Sequence, residues 1–302
     1  MKKKILITGG SGFIGSRVKE DLKNSGFEIL TIGRSENEDL KLDLKDTKLQ
    51  NIINDFLPDI VCHFASGSNI TRADENKEKE FNDTVLCSES LIKSLLTLKV
   101  KPEKIIYLST QSVYGLPKYL PVDELHPTLP VTVYGECKLK VEELIKQSKL
   151  NYLIFRISSV YGPMQDPKKS GVIAKFIKRI KENKSPIVFN SMDLISDFIY
   201  IDDVTSAIVS VIKDSLETKN KIYNLGSGKP TSLKEILNIL YKYFPNAPKP
   251  KLEINQLYPN TEQKGLYLDT NKIQSELKWH AKYNIEEGLK QMLEKTKSFS
   301  TL

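Results

Sequence analysis

A tyrosine and a lysine four residues apart occur in the run Tyr134-Gly135-Glu136-Cys137-Lys138, which has helical character. Residues i and i+4 of a helix share one face, about a turn apart. A free phenol, with a pKa of about 10, shuttles protons poorly at neutral pH, and a nearby ammonium favours phenolate and draws the group toward the working range. The lysine keeps donors to spare for a ribose. Alone, Tyr-x-x-x-Lys is a common accident of core and surface, so its weight depends on what accompanies it. Upstream, Ser109-Thr110-Gln111-Ser112-Val113-Tyr114-Gly115 closes an apolar run. The end of a strand in an open parallel sheet delivers side chains into the ligand crevice. Thr110 is therefore the third candidate, a hydroxyl that could hold the substrate oxygen beside Tyr134. The plainer reading is that Ser109 and Thr110 satisfy backbone groups at the strand end.

What accompanies the pair is Gly9-Gly10-Ser11-Gly12-Phe13-Ile14-Gly15, after one apolar run and at the start of an amphipathic one. A dinucleotide demands a tight turn, backbone close enough to touch pyrophosphate, and close helix-to-strand packing, and glycine meets all three. The helix dipole and free N–H groups then face the anion. After the second apolar run an acid would normally accept the adenosine ribose hydroxyls, but the chain reads Gly33-Arg34-Ser35. A guanidinium can hold a 2′-phosphate by charge-assisted bonds, so Arg34 favours NADP over NAD, with a solvent-facing loop arginine as the alternative.

These residues need a scaffold. Short, nearly continuous apolar runs at Ile5 to Thr8, Glu28 to Ile32, Ile60 to Phe64, Lys104 to Ser109, Tyr152 to Ile157 and Lys221 to Leu225 read as strands buried on both faces. Phe13 to Asn24, Phe81 to Leu98 and Val133 to Gln147 carry apolar residues at helical spacing. The alternation predicts an α/β fold, a doubly wound parallel sheet with helices on both faces. Composition shifts after Tyr161, where Gly162-Pro163 and Asp166-Pro167 mark a loop, and a smaller lobe is expected to begin there. We place the first domain at 1–162, with 197–228 returning to it, and the lobe mainly in 163–302. The Lys- and Glu-rich piece Asp74 to Glu80 reads as an exposed loop or helix face.

A chain of 302 residues can bury a sizeable core, and its net charge of +7 comes from scattered lysines. Phosphate-bearing small molecules fit that pattern better than nucleic acid. Cys62, Cys87 and Cys137 are odd in number and far apart, which argues against a disulfide framework or zinc and for a reducing cytoplasm. His63, His126 and His280 form no ligand pair, and Cys62 and His63 alternate across a strand, so no metal is expected. Asp202 and Asp203 read as helix-opening residues before Val204 to Ile212. No apolar stretch approaches the roughly 18 residues of a membrane span, and the run after Lys2-Lys3-Lys4 is too short for a signal peptide.

Together these motifs resemble the extended short-chain dehydrogenase/reductase superfamily, in its NAD-dependent epimerase/dehydratase branch acting on nucleotide sugars. Thr8 with Gly9, Gly12 and Gly15 is similar to its Thr-Gly-x-x-Gly-x-x-Gly turn, and Leu42-Asp43-Leu44 to its adenine-contacting step. His63-Phe64-Ala65-Ser66 resembles its fourth-strand motif, Asn82 an asparagine on the following helix, and Arg156 to Pro163 the nicotinamide segment. Asp197 to Val204 and Leu277-Lys278-Trp279 resemble its C-terminal signatures. The resemblance implies a Rossmann-like domain with a small C-terminal substrate lobe, and a homodimer built on Phe81 to Leu98 and Val133 to Gln147. Thr110, Tyr134 and Lys138 fall on its catalytic positions. Its cofactor contacts fall on Gly9, Gly12, Phe13, Ile14, Gly15, Arg34, Asp43, Leu44, Phe64, Ala65, Ser66, Asn82, Tyr134, Lys138 and Ser159.

Departures from the pattern concern the substrate. Ser196 stands where an arginine grips the diphosphate, and a second arginine is missing near Tyr258 to Glu262, with Lys175, Arg179 or Lys264 as substitutes. Ser159 replaces a usual asparagine and Cys137 a usual serine. Gln111 and Ser112 replace the Asp-Glu pair of the sugar 4,6-dehydratases, which disfavours water elimination. With Arg34 pointing to NADP, the leading expectation is a reductase of a nucleotide-linked 4-keto sugar or related carbonyl compound. The alternatives are an NAD-retaining 4-epimerase and a non-catalytic nicotinamide-binding sensor or scaffold.

Overall fold

A computed structural model describes residues 2–67, 70–169, 171–213, 218–254 and 265–298. The chain divides into two compact units, the first comprising 1–115, 127–157 and 205–223, the second 116–126, 158–204 and 224–302.

The first unit is built on the apolar runs of the sequence. β1 (Lys4–Thr8), β2 (Glu28–Gly33), β3 (Leu40–Lys41), β4 (Ile60–His63), β5 (Lys104–Thr110) and β6 (Tyr152–Ile157) join Lys221–Leu225 in one seven-stranded sheet. Its order is Lys221–Leu225, β6, β5, β4, β1, β2, β3, and every pair among β1 to β6 is parallel. Ile5, Ile7, Val61, Ile105, Ile106 and Ile154 are fully buried, as strands covered on both faces require. The chain leaves β1 toward β2 on one side and continues from β4 toward β5 and β6 on the other. The switch therefore falls between β1 and β4, and in open α/β sheets ligands bind beyond the carboxyl ends at that point.

Helix Phe13–Asn24 packs Val18 and Leu22 inward, and helix Val133–Gln147 packs Cys137, Val141 and Ile145. Each fully buried aliphatic side chain contributes roughly 1.5–3 kcal/mol, enough to fix the register of a helix face. That register also carries Lys138 and Glu142 inside, one position after Cys137 and Val141.

The run Phe81 to Leu98, expected as one helix, is three pieces: Lys77–Phe81, a π-helical turn at Asn82–Leu86, and Cys87–Thr97. The apolar periodicity survives a one-residue insertion nearly intact, so the sequence pattern does not reveal the bulge. Such bulges occur frequently at functional sites.

In the second unit Ile195–Tyr200 pairs antiparallel with Pro230–Ser232 and parallel with Gly265–Leu266 and Ser159–Tyr161. Asp197, fully buried, staples this sheet. Its carboxyl accepts hydrogen bonds from the Ser227 N–H and hydroxyl at 2.8 Å and from the N–H groups of Gly228 and Leu268. A Cβ at Gly226 would lie 2.4 Å from Asp197 Oδ2, so only glycine lets the loop close over the acid.

Candidate active site

The glycine turn sits at the end of β1, where backbone comes too close for side chains. Gly9 has φ +71°, and a Cβ there would lie 2.8 Å from the Ala65 nitrogen, beyond β4. A Cβ on Gly15 would lie 2.2 Å from the Gly9 carbonyl oxygen. Gly12 N-caps helix Phe13–Asn24 without a side-chain hydrogen bond. Its first-turn N–H groups thus face outward in the arrangement that takes a phosphate anion. The cradle and the uncapped turn fit a dinucleotide.

A hydrogen-bond chain ties this turn to its neighbours. The Ser88 hydroxyl donates to the Thr84 carbonyl at 2.5 Å, so it accepts from His63 Nε2 at 2.7 Å. His63 Nδ1 is then the acceptor and the Thr8 hydroxyl the donor at 2.7 Å, while Thr8 Oγ1 itself accepts from the Ala65 N–H. Burial, helped by the nearby Lys138 charge, pushes the imidazole down to about 3, so His63 is a neutral structural link between β1, β4 and the π-helical turn.

Thr110, Tyr134 and Lys138 gather at the end of β5. The Thr132 side chain caps their helix by accepting from the Gly135 N–H at 3.0 Å. A Cβ at Gly135 would lie 2.7 Å from the Ser112 carbonyl, so glycine here lets the helix approach the 3-10 turn that follows Thr110. Thr110 Oγ1 accepts from the Ser112 N–H at 3.2 Å, which is the plain strand-end role. Its hydroxyl donates to Ser112 Oγ at 3.2 Å and acts on the Tyr134 phenol in favour of the charged form.

The electrostatics differ from the sequence expectation. Lys138 Nζ donates to Ser66 Oγ and to the Leu108 carbonyl, both at 2.8 Å, and stands 5.8 Å from the Tyr134 ring centre. Burial pushes this ammonium down to about 8, against the pull of Glu80 and Glu142. The Tyr134 phenol is raised, first by burial and then by Glu80, and the Thr110 hydrogen bond only partly opposes this. Two of the three lysine donors go to the Leu108 carbonyl and to Ser66, and burial is the largest influence on the phenol.

The carboxylates around these residues were not legible as site residues. Glu80, expected on an exposed face, is buried and accepts from Thr84 Oγ1 at 2.7 Å. A Cβ at Gly67 would lie 2.0 Å from it, and Thr84 Oγ1 in turn accepts from the Gly67 N–H. Glu142, fully buried, accepts from Ser109 Oγ at 2.6 Å and from Arg156 Nε and Nη2 at 3.1 and 2.8 Å. Arg156 in turn lies 4.9 Å over the Tyr114 ring. The only available signals were helical spacing from Lys138 to Glu142 and the polar residues inside apolar runs.

Just beyond β2, Arg34 is 56% exposed along its side chain, and its Nη1 donates to Asp83 Oδ1 at 2.7 Å. Asp83 also pairs with Lys79. Asp43 stays near this pair, accepting from the Lys45 N–H and the Cys87 thiol, whereas Leu44 belongs to the hydrophobic core. Phe64, Ala65 and Ser66 follow β4, Asn82 opens the π-helical turn, and Phe13 and Ile14 open the first helix. Phe64, Ala65 and Ser66 are all half-buried.

In the second unit, Ser159 and Ser196 share a hydroxyl hydrogen bond at 3.3 Å, and Arg179 Nε is engaged by the Ser185 carbonyl. Lys175 is exposed, whereas Lys264 and the stretch Tyr258 to Glu262 lie outside the described residues. Asp202 and Asp203 sit inside the first turn of helix Ile201–Lys213. The Asp203 carboxyl accepts from the N–H groups of Lys282 and Tyr283, holding a distant segment as well as opening the helix. Among the described residues no cluster of His, Cys, Asp or Glu could hold a metal, and no helix is long and apolar enough to cross a membrane.

A doubly wound sheet with a glycine-rich first turn and a Thr/Tyr/Lys group at the end of β5 defines a nicotinamide-dependent short-chain dehydrogenase/reductase. The family model for the NAD dependent epimerase/dehydratase family matches residues 5–226. A relative from Methanocaldococcus jannaschii, named a putative UDP-glucose 4-epimerase, is 34% identical, over 96% of this chain and 97% of its own. A dTDP-L-rhamnose 4-epimerase from Burkholderia thailandensis is 25% identical, over 95% and 93%. Among solved structures, a UDP-glucose 4-epimerase with UDP-glucose from Thermotoga maritima superposes with a TM-score of 0.89 at 24% identity, covering 99% of this chain and 100% of that one. A UDP-glucuronic acid 4-epimerase from Bacillus cereus, in complex with UDP-glucuronic acid and NAD, gives 0.88 at 24%, covering 98% and 99%. The chain belongs to the NAD-dependent epimerase/dehydratase family and is an enzyme of that extended short-chain dehydrogenase/reductase type.

Proposed function

We propose that the protein is an NAD-retaining 4-epimerase of a nucleotide sugar. The observation that carries this reading is that the full-length relatives at 34% and 25% identity differ in named sugar and base but share 4-epimerisation. This replaces the reductase as the leading reading. The reductase rested on Arg34, whose guanidinium is engaged by Asp83. Gln111 and Ser112 leave the turn after Thr110 without the carboxylate pair that water elimination needs.

The glycine turn from Gly9 to Gly15 would hold the pyrophosphate, and Lys138 and Ser66 the nicotinamide end. When bound, the cofactor supplies a reversible acceptor of hydride from the sugar carbon and a positive charge that draws the Tyr134 phenol down toward neutrality. Tyr134 would take the proton of the sugar hydroxyl and return it to the same oxygen after the keto sugar has presented its opposite face, which inverts the carbon. Thr110 holds that oxygen by a hydrogen bond, and its bond with the phenol favours the charged state. Lys138, fixed by Leu108 and Ser66, keeps its ammonium beside the ring without competing for the transferred proton.

The test is proton NMR of the purified protein incubated with UDP-glucose, and separately with dTDP-L-rhamnose, without added cofactor. The expected outcome is accumulation of the 4-epimer of one of them, with no net change in reduced-nicotinamide absorbance. Stoichiometric consumption of NADPH with a keto sugar, and no epimer, restores the reductase.

A further inference from the structure

Glu38 lies in the turn between β2 and β3, five positions beyond Gly33, and is about nine-tenths buried, at 8% exposure. Its Oε1 accepts from the Ser11 N–H at 2.8 Å, inside the glycine turn. Its Oε2 is buried without a hydrogen-bond partner among the described residues. The carboxyl group lies across two glycines. A Cβ at Gly33 would lie 2.9 Å from Oε1, and one at Gly10 would lie 3.0 Å from Oε2. The neighbouring Asp39 anchors the turn separately, on the Thr31 N–H and hydroxyl and on Lys19.

A buried carboxylate oxygen with no donor is costly, and such an atom persists where a ligand supplies the donor. At the end of the second strand of a dinucleotide fold, the ligand group that brings paired hydroxyl donors is the adenosine ribose. We propose that Glu38 accepts these hydroxyls in place of the missing acid at Gly33-Arg34, and that its charge excludes a 2′-phosphate. The chain then selects NAD over NADP despite Arg34, whose charge is spent on Asp83. This inference rests on the reading that the glycine turn binds a nicotinamide dinucleotide, and it adds the residue that discriminates between the two cofactors.

Isothermal titration of dinucleotide-stripped protein with NAD and NADP tests it without reference to turnover. Wild-type protein is expected to bind NAD more tightly than NADP by about a hundredfold. Glu38→Gln keeps an acceptor for the Ser11 N–H but lacks the charge, and should lose about tenfold or more in NAD affinity while its NADP affinity holds or rises. Glu38→Asp, which draws the carboxylate back, should lose NAD affinity without gaining NADP. Thermal melts of the unliganded variants check the fold. Wild-type binding of NAD with Glu38→Gln indistinguishable from it overturns the role of Glu38 alone. Equal or tighter binding of NADP by the wild type overturns it as well. Failure of the wild type to bind either dinucleotide overturns both this proposal and the reading of the glycine turn.

Discussion

The carboxyl ends of β1 and β5 lie in the same sheet but are built from different materials. At β1 the candidate site is built of backbone: Gly9, Gly12 and Gly15 clear space and leave N–H groups uncapped, and among the described residues Thr8 and Glu38 bring side chains to it. At β5 the candidate site is built of side chains, where Lys138 is held by hydrogen bonds that include Ser66, and Glu80 and Glu142 act on the field around Tyr134 and Lys138. A backbone site fails by steric exclusion, all at once. A side-chain site fails by degrees, one interaction and one charge at a time.

The largest effect therefore belongs at β1. Gly15→Ala places a Cβ 2.2 Å from the Gly9 carbonyl, where only backbone can yield. We expect a loss of about 1–3 kcal/mol in stability and of dinucleotide binding altogether, read by calorimetry and by titration. Retained affinity in a folded variant would show that the turn has slack, and would remove the contrast with β5.

Next comes Tyr134→Phe, which deletes the oxygen proposed to carry the proton and leaves the ring in place. Epimerisation should fall by about 10²–10⁴-fold while dinucleotide affinity stays within a few-fold. Activity within tenfold of the parent would move the proton transfer to another group and leave Thr110 as the residue to examine.

The two ends also differed in how far sequence revealed them. Glycine spacing and Tyr-x-x-x-Lys are local patterns, fixed by turn geometry and helix pitch, so Gly9 to Gly15, Tyr134 and Lys138 stand out as candidates, and the six expected strands all fall in the central sheet. Glu38, Glu80 and Glu142 act through burial, and burial of a charged residue is decided by partners 27, 4 and 14 residues away in the chain. The same reasoning explains Arg34. Its local context resembles a phosphate anchor, but Asp83, 49 residues on and placed by the π-helical turn, engages it. Lys138 does lie beside Tyr134, 5.8 Å from its ring centre, but the Leu108 carbonyl that holds it carries no sequence signal.

A smaller effect isolates the field at β5. Lysine titrates at about 10.4 in an unfolded chain, and Lys138 in the fold titrates at about 8. Between those values the unfolded chain holds more protons, so the contribution of Lys138 to stability rises with pH across this window. Below about 8 the buried ammonium imposes its full cost, on the order of 3 kcal/mol. Lys138→Met should thus gain in stability relative to wild type at pH 7, and that pH-dependent part should fade toward pH 10. A difference in melting temperature that does not vary with pH would mean that the ammonium is not penalised by burial.

The smallest expected effect concerns Glu80, a positioning residue that acts through Tyr134 and Lys138. Its charge raises the Tyr134 phenol and also raises the Lys138 ammonium, in each case second to burial. Glu80→Gln keeps an oxygen to accept from Thr84 and removes only the charge. Both groups should then titrate lower, so the two limbs of the kcat/KM profile move toward acid together, by less than about one pH unit because burial remains the larger cause. A packing disturbance would instead lower the plateau and leave the limbs where they were. Limbs that stay fixed, or that move apart, would show that the field at the end of β5 is set without Glu80.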